Sequence, residues 1–119
     1  MKKSGFIAIL GVALLIFSCG TSETTEEGYP VLSRDEMASI IYDMNLIEAA
    51  YRGRMHNDTL AEKNMLERMT HTFEKRSITR EQFLSNYNHY LDDPEELAGI
   101  YNDALGKLSA HLSEVEATE

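Results

Sequence analysis

The sequence predicts an all-α fold: a small four-helix domain with short connections, preceded by a signal-peptide helix and a disordered tether. Three observations carry this expectation. Apolar residues recur at three- and four-residue spacing in four successive stretches, and no stretch alternates with period two. Each stretch opens on a Ser, Thr or Asp followed three residues later by Glu or Gln, the pattern that caps a helix start. Only a few residues separate one stretch from the next, so consecutive helices are expected to pack as hairpins.

The front of the chain comes first. Lys2 and Lys3 give a positive start, and residues 5–17 form an apolar run of 13 residues. As a helix that run spans roughly 20 Å, short of the ~30 Å hydrocarbon core, which favours a signal peptide over a spanning anchor. It ends in Leu15-Ile16-Phe17-Ser18-Cys19, which resembles a bacterial lipobox. On this reading residues 1–18 are a lipoprotein signal peptide. Cys19 then carries diacylglycerol on its thiol and a fatty acyl chain such as palmitate on the new amino terminus. Two such signals give stable membrane attachment. The competing readings are a secretory signal with an incidental cysteine and a permanent helical anchor.

Residues 19–32 read as the lipidated cysteine and a flexible acidic linker. Residues 20–28 contain no aliphatic or aromatic side chain. They cannot recover the entropy of ordering, and residues 20–32 fully extended reach at most about 45 Å. Glu23, Glu26 and Glu27 resemble the acidic tags of surface lipoproteins in Bacteroidetes-type bacteria, and equally suit a plain soluble linker.

The helical domain is placed at residues 33–115, with residues 116–119 as a disordered tail. Ser33-Arg34-Asp35-Glu36 caps the first helix, whose apolar positions are Met37, Ile40, Ile41, Met44, Ile47, Tyr51 and Met55, with Gly53 near its end. Thr59-Leu60-Ala61-Glu62 is a second capping box, ahead of Met65, Leu66, Met69 and Phe73. Thr79-Arg80-Glu81-Gln82 is a third, ahead of Phe83, Leu84, Tyr87, Tyr90 and Leu91. Asp93-Pro94-Glu95-Glu96 is the strongest start signal, with proline at the first helical position. The fourth helix carries Leu97, Ile100, Tyr101, Ala104, Leu105, Leu108, Leu112 and Val115.

Composition narrows the function classes. At 119 residues there is room for one domain, and the single cysteine excludes an internal disulfide. The formal charge is −9, and loss of Lys2 and Lys3 with the signal takes it to −11. Such a surface repels phosphate backbones, so no nucleic-acid partner is expected. It also disfavours flat adsorption on anionic lipid, which leaves attachment to the lipid on Cys19.

The stretches Ile41-Tyr42-Asp43-Met44-Asn45-Leu46-Ile47-Glu48-Ala49-Ala50 and Ile78-Thr79-Arg80-Glu81-Gln82-Phe83 form a recognisable pattern. It continues through Tyr87, Tyr90, Asp93-Pro94-Glu95 and Ile100-Tyr101. The pattern resembles the domain-of-unknown-function family numbered 4296, short helical lipoproteins of Bacteroidetes-type bacteria, over about residues 33–108. The resemblance implies a lipoprotein and a helical fold, and no activity. One departure is Ser77, where the family often has glycine. A left-handed residue there would be mildly strained.

Candidate chemistry is sparse. Glu48 projects within about 20° of Met37 and Met55, inside the apolar stripe of the first helix. A carboxylate there must be paired, hydrogen-bonded or protonated. Arg52 lies one turn on, and Tyr87, Tyr90 and Tyr101 could donate across the bundle. These five residues are the candidate ligand- or partner-contacting set, with a purely structural polar anchor as the competing reading. The four histidines lack metal-ligand spacing, so neither a metal site nor a cofactor is expected. No nucleophile motif occurs, and an enzyme is not expected. Methionines on the first two helices suit core filling or an adaptable groove. Asp58-Thr59-Leu60 resembles an O-glycan acceptor of exported proteins, with Thr59 as the modified residue.

Two functions remain in view. The first is a lipid-anchored accessory or structural protein of the cell envelope, most reasonably on either face of the outer membrane. It would hold an envelope protein through a helical face. The second is a binding module for a glycan or peptide fragment, using Glu48 and the tyrosines. Their discriminator is whether Glu48 and the tyrosine tips converge on a cavity. Self-association through an apolar helix face is a third relation the short helices allow.

Overall fold

The computed structural model describes residues 23–54 and 58–118. Cys19 and the signal and lipobox residues lie outside them, as do Met55 and His56. Four helices are present: α1 (Arg34–Tyr51), α2 (Thr59–Glu74), α3 (Arg80–Leu91) and α4 (Pro94–Ala117). The expected all-α four-helix domain is what forms, and no strand occurs among the described residues.

Local chemistry explains most helix starts. Ser33 accepts from the Glu36 N–H, and the Glu36 carboxylate takes the Ser33 N–H at 2.7 Å, a complete capping box. Thr79 and Gln82 repeat the arrangement at α3. Asp93 caps α4, with Pro94 in its first turn. The expected box at Thr59 does not form. Asp58 is the cap, in extended conformation, its carboxylate accepting the Leu60 N–H at 2.9 Å. Two cap-type residues stand in succession there, and the aspartate takes the role, which makes Thr59 the first helical residue. α4 runs to Ala117, so residues 116 and 117 are helical rather than part of a tail.

The connections do not all make hairpins. α2 returns against α1, while the most extensive helix pair is α1 with α4. Arg34 and Asp35 at the start of α1 pair with Asp103 and Lys107, and further along Tyr42 meets the His111 ring. α1 and α4 therefore run in the same direction, and α3 crosses the end where both begin. The core lies at that end. It joins Met37, Ala38, Ile40 and Ile41 of α1 to Phe73, Phe83, Tyr90, Ile100 and Ala104. Phe73 and Phe83 pack with ring centroids 5.4 Å apart.

α2 ends in a Schellman turn. The Ile78 N–H reaches the Phe73 carbonyl and the Ser77 N–H the Glu74 carbonyl, while Ser77 takes φ +56°. Ile78 packs on the core beside it. The serine thus occupies the left-handed position that the sequence marked as suited to glycine.

The largest departure precedes α1. Residues 23–32, read as part of a mobile linker, are folded onto α3. Thr24 and Pro30 form an isolated antiparallel bridge, and Gly28 turns the segment at φ +84°. Thr25 is buried. The physical reason is a set of polar side chains on α3, described next, that satisfies this segment's backbone.

Candidate functional site

Asn86 lies fully buried in the middle of α3, between Phe83 and Tyr90 on its inward face. Its Oδ1 accepts the Leu32 N–H at 2.7 Å, and its Nδ2 donates to the Pro30 carbonyl at 3.1 Å. Tyr90 donates its hydroxyl to the Leu32 carbonyl at 2.7 Å. Buried backbone groups need such partners. At the preceding residue the Ser85 and Thr25 hydroxyl oxygens stand 2.6 Å apart, and Ser85 also hydrogen-bonds the Glu27 carboxylate. Because a carboxylate only accepts, the Ser85 proton goes to Glu27 and the Thr25 proton to Ser85. That bond from Ser85 holds the Glu27 carboxyl below its ordinary value. His89 stands 3.7 Å from Glu23 on the same side. The sequence reading missed this clasp. Its signal was available: an asparagine on the apolar face of a helix requires partners.

Glu48 finds the partner its spacing allowed, Arg52, but is not enclosed. Its side chain is 45% exposed and pairs with Arg52 at 2.9 Å, one turn along the same helix. The buried residues of α1 all fall between Met37 and Ile41, and the apolar stripe is only half-buried by the time it reaches Glu48. The tyrosines separate as well. Tyr90 belongs to the clasp, whereas Tyr87 and Tyr101 join hydroxyl to hydroxyl at 3.0 Å between α3 and α4. That hydrogen bond, with burial, pushes the Tyr101 phenol up to about 12. Glu48, Arg52 and the three tyrosines do not converge on one cavity. Thr59 is exposed in the first turn of α2.

Among the described residues no group of three His, Cys, Asp or Glu side chains is placed to hold a metal ion. What the surface does offer is an apolar groove of about 190 Å³ between α1 and α4. Tyr42, Leu46 and Ala49 form one wall, and Tyr101, Leu105 and Leu108 the other. The groove continues onto the end of α4, where Leu105, Leu112 and Val115 are 59%, 53% and 46% exposed. The sequence grouped these three with the core face of α4, but only Ile100 and Ala104 of that helix are buried. α3 has 12 residues against 24 in α4, and among the described residues it does not extend over the later turns.

The charges lie off this groove. Arg34 makes a two-pronged pair with Asp103 at 2.6 and 3.2 Å and sits 3.9 Å from Glu96. Its guanidinium lies flat on Gly99, where a Cβ would stand 2.5 Å from Nη1. On the opposite side of α1, Asp43 receives Arg76 at 2.6 Å and Lys75 at 3.0 Å. Burial opposes ionisation of Asp43, but the bonds from Arg76 and Lys75 outweigh it and hold the carboxyl below its usual range.

Fold and surface together define a small helical domain with a folded N-terminal strap and an uncovered apolar face. Residues 30–114 match the family model described as Domain of unknown function (DUF4296). The chain belongs to that family. Neither a curated protein nor a solved structure matched it.

Proposed function

We propose that this is a lipid-anchored protein of the bacterial cell envelope, with an accessory or structural role and no catalysis of its own. It holds an envelope protein partner through the α1–α4 face. The observation that carries the docking role is the row of exposed apolar side chains at Tyr101, Leu105, Leu112 and Val115 beside the α1–α4 groove. A run of uncovered apolar residues on a small soluble domain marks an interaction surface. The lipobox at residues 15–19 supports the anchoring role. The strap adds a geometric consequence. Four residues of chain connect Cys19 to Glu23, at most about 14 Å, far less than a free linker to Leu32 would allow. The end where α1 and α4 begin is then held near the membrane, and the open apolar turns face away from it.

The glycan- or peptide-fragment reading receives no support from Glu48, which is paired in water with Arg52.

Chemical crosslinking of the wild-type chain in intact cells, followed by mass spectrometry of what co-purifies, tests the proposal. One or two specific envelope proteins joined through residues 33–115 support it. Recovery of the chain unlinked, and from the soluble fraction, contradicts both the docking and the anchoring parts.

A further inference from the structure

Most cations of this domain are neutralised within it. Arg34, Arg52, Lys63, Lys75, Arg76 and Lys107 each pair with an acid. Among the described residues, Arg54, Arg68 and Arg80 are the basic side chains with no ion-pair partner. Two of these, Arg54 in the turn after α1 and Arg68 within α2, line one cleft of about 350 Å³. Its other walls are Leu46, Ile47, Ala50 and Tyr51, and no acid lines it. The chain carries 20 acidic against 11 basic residues, so two cations left together without an acid run against its composition.

Local sequence does not supply the missing acid. The residues three and four positions from Arg68 are Asn64, Met65, His71 and Thr72, so no carboxylate faces it along its own helix. The dipole of α1 favours a cation just past its C-terminus, which accounts for Arg54. Arg68 lies in the interior of α2, where no helix end accounts for it.

We propose that Arg54 and Arg68 bind a carboxylate of the docked protein, carried by an acidic residue with apolar neighbours in its sequence. The inference rests on the docking reading for the partner being a protein, and adds that partner's chemistry. Leu46 lines both this cleft and the α1–α4 groove. One segment crossing α1 there can set apolar side chains in the groove and its acid beside the arginines. A guanidinium presents parallel N–H donors that match a carboxylate. Leu46, Ile47 and Tyr51 are half-buried and shield one side of the pair from water, which strengthens it over a pair in open solvent. The formal charge of −9 repels a strongly acidic partner, which leaves one or two carboxylates among apolar residues. The same charge disfavours an anionic lipid headgroup, and the cleft lies at the end of α1 away from the tether.

The test is fluorescence anisotropy of two labelled, end-blocked pentapeptides with the full lipidated chain in nanodiscs of zwitterionic lipid. Both carry leucine at the first, third and fifth positions, with glutamate between in one and glutamine in the other. The glutamate peptide is expected to bind with a Kd of about 1 mM or tighter, weakening as salt rises, and the glutamine peptide about tenfold more weakly. Arg54→Gln and Arg68→Gln change exposed side chains, so the helical circular dichroism is retained. Each should weaken the glutamate peptide about tenfold. Arg80→Gln, the third unpaired cation but outside the cleft, should leave binding within about twofold. Equal binding of the two peptides overturns the inference, as does binding of neither or an equal loss in Arg80→Gln. If phosphatidylglycerol vesicles bind through the two arginines and the glutamate peptide does not, the occupant is a lipid and the inference falls. If the peptides fail but the chain still crosslinks to an envelope protein in cells, the docking reading stands without the carboxylate site. If the glutamate peptide binds as expected and no envelope protein crosslinks, the carboxylate site is supported and the docking reading falls.

Discussion

The Asn86 carboxamide in the middle of α3 accepts the backbone N–H of Leu32, 54 residues away in sequence, at 2.7 Å. With the second bond to Pro30, one buried side chain turns the segment before α1 into part of the domain.

Asn86→Ala removes both bonds and leaves the part-buried Leu32 N–H and the Pro30 C=O without these partners. The expected loss is about 2–3 kcal/mol, because an unsatisfied buried group costs its desolvation. Asn88→Ala, two residues on and exposed, should stay within about 0.5 kcal/mol. Urea denaturation compares the two, and an equal effect of both would contradict the clasp.

Ser77 at φ +56° predicts a gain from glycine. A non-glycine residue in the left-handed region costs about 1 kcal/mol, so Ser77→Gly should raise stability by up to that amount. A thermal midpoint unchanged or lowered would show that the turn is relaxed as it stands.

Arg34 and Gly99 should be coupled. A Cβ at residue 99 displaces the guanidinium and disturbs its pair with Asp103. Once Arg34 is replaced by alanine, Gly99→Ala should stabilise by about 1 kcal/mol through helix propensity alone, and by less in the wild type. A double-mutant cycle reads the difference directly. Equal effects in both backgrounds would mean that the contact imposes nothing.

Acid should weaken the domain. Hydrogen bonds hold the carboxyls of Glu27 and Asp103 below their ordinary values, from Ser85 and Arg34 respectively, and Asp43 is lowered despite burial by Arg76 and Lys75. A folded-state value below the unfolded one means that stability is fully present above the unfolded value, near 4. It is lost as pH falls through the folded values. Denaturation midpoints at pH 7 and pH 5 should therefore be similar and those near pH 3 lower, with a shallower fall in Asp43→Asn.

Local features of this fold were legible in the sequence and long-range ones were not. Ser33, Thr79 and Asp93 mark helix starts because a cap depends on residues a few positions away. Asp58 displaced Thr59 because adjacent residues could each serve. Glu48 and Asn86 are the instructive pair. Both are polar residues on an apolar stripe, and the stripe position alone does not say which is enclosed. Asn86 lies where the strap folds over α3, whereas Glu48 lies on turns of α1 beyond its buried residues. The parallel pairing of α1 with α4 joins segments some 65 residues apart and leaves no mark in either one. The exposed apolar row on α4 looked like core spacing, since the spacing alone does not say which turns are covered.

The central claim is that the α1–α4 face docks a protein in the envelope. The most direct measurement places a photo-crosslinking side chain at Leu105 in intact cells, with the same group at Leu84 of α3 as the comparison. Leu84 is similarly exposed but lies on another helix. A discrete crosslinked species is expected from Leu105 and none from Leu84. Equal, diffuse labelling from both positions would contradict it.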